Sequence, residues 1–256
     1  MTAGTRAPGE FCWVNIMTPE LDKARNFFGA VLGWTFTEMP GMGYGVKVGG
    51  LDIGGLFDVV SPRTPNGMPP LIGVMVKVEN ADATGAKIKS LGGRADSAFD
   101  IPNAGRMSVC HDPNGAAFDI WQPNKMTGTA ADHRAHGVPT WFETLTTNLD
   151  AATDFYMNAF GWTADVATMP GMTYTTFKLG AVPVAGMMQI TPEMGADVHP
   201  HWGTYFCVHN ADVAVGDAAK LGATIFIPPR PIPNIGRFAG IISPQGVRFY
   251  VIEYSA

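Results

Sequence analysis

WVNIMTPELDKARNFFGAVLGW, residues 13 to 34, returns as WFETLTTNLDAATDFYMNAFGW at residues 141 to 162. Each copy begins with alternating apolar and polar residues, the period of a half-buried strand. In the first copy Thr18 and Pro19 read as an N-cap followed by the first helical residue. Leu21, Ala24, Phe28, Val31 and Leu32 then keep a helical period up to Gly33, a helix-ending residue. The unit is strand, then amphipathic helix, and the chain contains it twice.

The duplication extends along the chain. MPGMGY (39–44) matches MPGMTY (169–174), and NADATGAKIKSLGG (80–93) matches NADVAVGDAAKLGA (210–223). IPNAGRM (101–107) matches IPNIGRF (232–238), and DPNGAAFDIW (112–121) matches SPQGVRFYVI (243–252). The order is the same and the offset stays near 130 residues, so the chain is a tandem repeat. Within a copy, YGVKVGG and LDIGGLFDVV predict a hairpin, LIGVMVKV another strand, residues 81–91 a second helix, and DPNG a turn closing a last hairpin. Each copy is therefore expected to hold two strand-helix-strand-strand-strand modules, four in all. Between the copies PNKMTGTAADHRAHG is polar and lacks an apolar period, which predicts a surface linker at residues 125–137 between domains at 8–124 and 138–256.

Composition limits the function. The chain has 256 residues, a formal charge of −5, 15% charged residues and no Lys/Arg block, which argues against nucleic acid and anionic membrane as partners. No apolar run is long enough for a membrane span, and the first residues lack a signal-peptide core, so the cytoplasm is the expected compartment. Cys12, Cys110 and Cys207 are odd in number and without CxxC spacing, the pattern of reduced buried thiols. A small organic molecule is the expected partner of a monomer or homodimer.

The strand, the Thr-Pro-x-Leu-x-x-Ala-x-x-Phe-Phe-x-x-Val-Leu-Gly-Trp helix and the Asp-Pro-Asn-Gly hairpin resemble the glyoxalase/bleomycin-resistance/dioxygenase group, the vicinal oxygen chelate superfamily. The resemblance covers nearly the whole chain, twice. It implies an α+β fold of two tandem domains whose βαβββ modules curl into half-open sheets around cavities. It does not imply one chemistry, because the group includes isomerases, ring-cleaving dioxygenases, thiol transferases and metal-free drug-binding proteins.

Many members of that group hold a divalent metal with His and Glu. The resemblance puts the ligand positions on Trp13, Gly73 and Asp119 in the first copy and on Trp141, Gly203 and Tyr250 in the second. Cavities within a copy and cavities across copies, as with Trp13, Gly203 and Tyr250, are both open. Indole has no lone pair to offer a metal and Gly has no side chain, so no cofactor is expected. A register shift of two would bring His201, of the His199-Pro-His201 stretch, into this row beside Glu143, and a divalent metal is the alternative.

Strand alternation places Asn15 beside Trp13 and Glu143 beside Trp141 on the cavity face. If Asp112 lies opposite Gly115, Ser108 faces Asp119 and Arg106 faces Trp121, while Arg237 faces Ile252 and Ala239 faces Tyr250. The expected ligand-binding residues are Trp13, Asn15, Arg106, Ser108, Trp121, Trp141, His201, Tyr205, Arg237 and Tyr250, which suit a flat organic ligand with an anionic end. Asp119 and Glu143, desolvated beside indoles, are the candidate acid-base groups. The expected function is metal-independent small-molecule binding. Its alternative is a lyase-like or isomerase-like enzyme with a divergent metal site or metal-free acid-base catalysis.

Overall fold

The computed structural model describes residues 4–61, 64, 67–169 and 171–255; Pro170 of the repeated MPGMTY stretch lies outside them. The first module comprises β1 (Phe11–Thr18), α1 (Leu21–Leu32), β2 (Thr35–Met39), β3 (Gly43–Val48) and β4 (Leu51–Asp58). The second comprises β5 (Leu71–Lys77), α2 (Ala81–Ser90), β6 (Arg94–Ala95), β7 (Phe99–Ile101), β8 (Gly105–His111) and β9 (Ala117–Pro123). The third comprises β10 (Pro139–Thr146), α3 (Leu149–Phe160), β11 (Thr163–Met169), β12 (Met172–Leu179) and β13 (Val182–Gln189). The fourth comprises β14 (His201–Cys207), α4 (Ala211–Lys220), β15 (Thr224–Ile232), β16 (Gly236–Ile242) and β17 (Arg248–Tyr254).

Each copy contributes one curled sheet, in the orders β2-β3-β4-β1-β5-β9-β8-β6, with β7 also on β8, and β11-β12-β13-β10-β14-β17-β16-β15. The expected α+β architecture of tandem modules is observed. By contacts the chain divides into two compact units, residues 1–13, 74–128 and 141–203, and residues 14–73, 129–140 and 204–256. Each unit draws on both copies.

In the first unit Phe11 of copy one stacks on Phe142 of copy two at 4.1 Å and meets Trp202 edge-on at 5.0 Å. In the second, Phe28 of copy one packs on Phe249 of copy two at 5.5 Å and stacks on Trp34 at 5.0 Å. The Gly-Trp pair closing each first helix joins the copies reciprocally. Trp34 Nε1 donates to the Gly137 carbonyl at 2.7 Å, and Trp162 Nε1 donates to that of Gly9 at 2.8 Å. Both indoles are buried, so these bonds satisfy donors that would otherwise cost about 1–3 kcal/mol each.

Two local expectations are corrected. α1 does not start at Thr18 and Pro19: Thr18 ends β1, and Glu20 caps the helix in the left-handed region at φ 55° without a side-chain bond. The equivalent Asn148 of copy two caps conventionally, accepting from Ala151 N at 3.1 Å. The polar stretch before copy two is not solvated throughout, because Thr129, Ala131 and Gly137 are buried. Its backbone carbonyls serve as acceptors for Trp34 and the Cys207 thiol, and its Arg134 lies 3.5 Å from the centre of the Tyr254 ring.

The copies differ coherently in their cores. Tyr156 of α3 donates to Asp112 Oδ2 at 3.0 Å and accepts from Trp202 Nε1 at 3.0 Å, all three buried. At the matching positions copy one has Phe28, without a hydroxyl, and copy two has Ser243, whose Oγ accepts from Val247 N. Tyr156→Phe should therefore lower stability by about 1–3 kcal/mol, since it strands a buried carboxylate oxygen and an indole N–H. Chemical denaturation checks this against Phe28→Tyr, which adds a hydroxyl to a site built without one and should also destabilise.

Candidate functional site

Which side chains line the inner, helix-free face of each sheet depends on the β8–β9 turn. Asp112 N donates to Ala116 O and Gly115 N to Asp112 O, so Asp112 lies opposite Ala116, not Gly115. Asp112 Oδ1 fixes the turn by accepting from Asn114 N and Ala116 N, each at 2.9 Å. The register then pairs Val109 with Asp119, Met107 with Trp121, Ser108 with Ile120 and Arg106 with Gln122. Copy two repeats the shift, pairing Gly240 with Tyr250, Phe238 with Ile252 and Arg237 with Glu253. The expected pairings of Arg106, Ser108, Arg237 and Ala239 are thus corrected by one residue, and a one-residue slip turns every side chain to the other face.

The two arginines consequently point to the helices. Arg106 forms a two-pronged ion pair with Asp82 of α2 at 2.9 and 3.0 Å and reaches Asp100 at 3.0 Å. Arg237 grips Asp212 of α4 at 2.7 and 3.0 Å. Each pair holds its aspartate below the usual carboxylate range. Ser108 is buried and donates to Asp96 O. The repeated Ile-Pro-Asn-x-Gly-Arg phrase is a turn that delivers this arginine. Asn103 and Asn234 take left-handed φ of 61° and 62°, and a Cβ on Gly236 would stand 1.9 Å from the Glu253 carbonyl oxygen.

The inner face of copy one carries Trp13, Met75, Met107, Asp119 and Trp121. Trp121 is buried with Cys12 and Met75, and Trp13, Met107 and Met126 pack against that cluster. Trp121 Nε1 donates to Met126 O at 2.8 Å. Asp119 lies between Met75 on β5 and Val109 on β8, and burial pushes its carboxyl up to about 7. Among the described residues it accepts no hydrogen bond and forms no ion pair. Asn15 stands beside Gly55 on the same strand row as Trp13. Burial pushes the Cys12 and Cys110 thiols up to about 12, far from nucleophilic readiness.

In copy two, Trp141 Nε1 donates to the Tyr174 hydroxyl at 3.0 Å, and that hydroxyl donates to Glu143 Oε2 at 2.9 Å. Glu143 is buried and registers with Gly186, where a Cβ would stand 2.0 Å from the Tyr174 oxygen. Tyr174 was not singled out by the sequence. Its apparent counterpart Tyr44 lies under Arg25 of α1, at 4.2 Å, because copy two's ladder is longer by one residue and matches Tyr174 to Gly43. A separate aromatic group joins Tyr205 and Tyr250, stacked at 4.5 Å, with Phe238 and Phe226 beside them. His201 Nδ1 donates to the His199 carbonyl at 2.7 Å, at the start of β14.

A divalent metal needs about three converging N, O or S donors. Among the described residues no group of three or more His, Cys, Asp and Glu could hold one. In each sheet the β5–β9 or β14–β17 ladder sets one row partner: Asp119 beside Met75 in copy one, Tyr250 beside Tyr205 in copy two. These residues do not make a metal's donor set.

Paired βαβββ modules with this strand order define the glyoxalase/dioxygenase class of fold. The Mn(II)-bound glyoxalase from Novosphingobium aromaticivorans superposes with a TM-score of 0.65 at 14% identity, covering 98% of this chain and 83% of that one. A 2,2',3-trihydroxybiphenyl 1,2-dioxygenase from Sphingomonas wittichii strain RW1 gives 0.66 at 10% identity, covering 96% and 91%. The model of the bleomycin resistance protein-like N-terminal family matches residues 10–50. "Putative glyoxylase CFP32" of Mycobacterium tuberculosis is 34% identical over 247 residues, 94% of this chain and 93% of that protein. "Anthracycline biosynthesis protein DnrV" of Streptomyces peucetius is 32% identical over 267 residues, 96% and 94%. The chain belongs to the glyoxalase/bleomycin-resistance family of the vicinal oxygen chelate superfamily. Among the described residues no helix is long and apolar enough to cross a membrane.

The Asp119 environment has a stability signature. Its folded-state pKa lies above the unfolded value near 3.9, so the fold carries no penalty below about pH 4 and an increasing one as pH rises through 7. Asp119→Asn should raise stability by about 1–3 kcal/mol at pH 8 and leave it nearly unchanged at pH 4. Urea denaturation at the two pH values measures the difference.

Proposed function

We propose that this chain binds a small, partly aromatic organic molecule without a metal, on the inner faces that carry Trp13 and Trp121 in copy one and Trp141 in copy two. The observation that carries the reading is the composition of those faces: indole, phenol and thioether groups surround one or two carboxylates where metalloenzymes of this class need a converging donor set. Such surfaces gain about 25 cal/mol per Å² of apolar area covered, before ordering costs. The relative named for anthracycline biosynthesis accords with a ligand from small-molecule biosynthesis. The three free, buried thiols accord with a cytoplasmic protein.

A second reading has its own observation. The Trp141–Tyr174–Glu143 chain resembles the hydrogen-bonded relay of an acid-base catalyst, with Glu143 as base and the Tyr174 hydroxyl as its proton-transferring neighbour. An isomerase-like activity would need both residues, whereas binding alone would tolerate Tyr174→Phe.

Elemental analysis of the purified protein, with thermal denaturation in added Zn, Ni, Fe and Mn, tests the metal-independent reading. Less than a tenth of an equivalent of any of these metals and an unchanged melting temperature are expected. A saturating ligand at 100 times its Kd would add about 2.7 kcal/mol, so a stoichiometric metal with a clear upward shift would refute it. In a ligand screen by tryptophan fluorescence, hits should weaken at least about tenfold in Trp13→Ala or Trp141→Ala. Equal affinity in wild type and both variants would remove the inner faces from the function.

A further inference from the structure

We propose that the inner face of copy one is a site for an organic cation, an apolar ring body bearing a permanent positive charge, held by Asp119 with the half-buried indole of Trp13 alongside and Trp121 packed beneath. The proposal rests on the small-molecule-binding reading above and gives that ligand its charge.

Among the aspartates whose surroundings distinguish a role, Asp119 is the exception. Asp82 and Asp212 are paired with arginines, and Asp112 accepts two backbone N–H groups and the Tyr156 hydroxyl. Asp119 has no such partner among the described residues, although it is half-buried between Met75 and Val109 and near an indole-rich cluster. Burying a carboxylate without compensation is costly, so its protonated form is favoured and its pKa rises to about 7. A cation seated there would supply the missing charge, and indole faces attract cations further. An anion would meet the Asp119 charge, since Arg106 is turned to α2 and Lys77, the cation of the same row beside Trp121, is bonded to backbone carbonyls.

The groups on the surrounding elements do not supply that charge. On β5, Lys77 Nζ donates to the carbonyls of Arg6 and Thr127. On β8, Cys110 is a neutral thiol on the helix side, and His111 is engaged with Arg94 at the strand end. On β1, Cys12 is likewise neutral, and on α2, Asp82 is bound to Arg106. Copy two has Tyr250 at the ladder position of Asp119, so the charge preference belongs to the first copy alone.

The test uses three bicyclic probes of one shape: N-methylquinolinium, neutral 1-methylnaphthalene and anionic 1-naphthoate. Calorimetry gives affinities for the full chain, and indole N–H resonances assigned to Trp13 and Trp121 report the location. At pH 8 the cation should bind at least about tenfold tighter than the neutral probe, and the anion more weakly than either. The preference should shrink at pH 5, where Asp119 is protonated, and vanish in Asp119→Asn, which still binds the neutral probe. Asp119→Glu, keeping the charge, should retain part of it.

Equal binding of cation and neutral probe in wild type, unchanged in Asp119→Asn, would overturn the cation assignment and leave the aromatic site standing. A cation preference that persists in Asp119→Asn would overturn it too, by placing the charge elsewhere. If no probe binds and neither indole signal moves, the binding reading of this face fails, and the cation assignment fails with it.

Discussion

One additional residue in the β8–β9 turn decides what the inner face of the sheet contains. With Asp112 opposite Ala116, Asp119 and Trp121 share a face with Val109 and Met107, and the arginine of the repeated phrase goes to the helix side. A tight turn with Asp112 opposite Gly115 would have put Arg106 beside Trp121 and made the same face cationic. Backbone bonding in a five-residue turn therefore sets the sign of the charge carried by the inner face. Copy two keeps the same turn geometry through Ser243 and Val247, so the arrangement is a property of the module.

The turn is itself held by packing. Asp112 serves two masters: one carboxylate oxygen organises the turn, and the other accepts from Tyr156 of copy two's first helix. The reciprocal Trp34–Gly137 and Trp162–Gly9 bonds act in the same sense, each tying the end of one copy's helix to the residues just before the other copy's first strand. The copies were free to diverge where the pairs changed together, as Tyr156 with Asp112 and Phe28 with Ser243 did. They also diverged on the inner face, where copy one has Asp119 and Asn15 at the ladder positions that Tyr250 and Glu143 hold in copy two.

Much of this was legible in the residues. Repetition, strand alternation, helical periodicity and the Asp-Pro-Asn-Gly turn gave the modules and their order. The resemblance pointed to Trp13, Asp119 and Trp141 and alternation to Glu143, since position along one strand is a local property. The pairing between strands was not legible, since Asp-Pro-Asn-Gly is compatible with turns of two lengths, and the choice shows only in which backbone N–H groups the Asp112 and Ser243 side chains accept from. Tyr174 was hidden for a related reason: identical letters align it with Tyr44, but the ladder matches it to Gly43, so the two tyrosines lie on opposite faces.

The central claim is that Asp119 is a desolvated carboxyl facing indole and thioether groups with no cation beside it. Titration of its side-chain carboxyl carbon by NMR in the ligand-free protein measures this directly. The account predicts a midpoint near 7 that does not change in Arg106→Gln. A midpoint below 4 that rises when Arg106 is replaced would contradict it, because the arginine would then lie on the inner face.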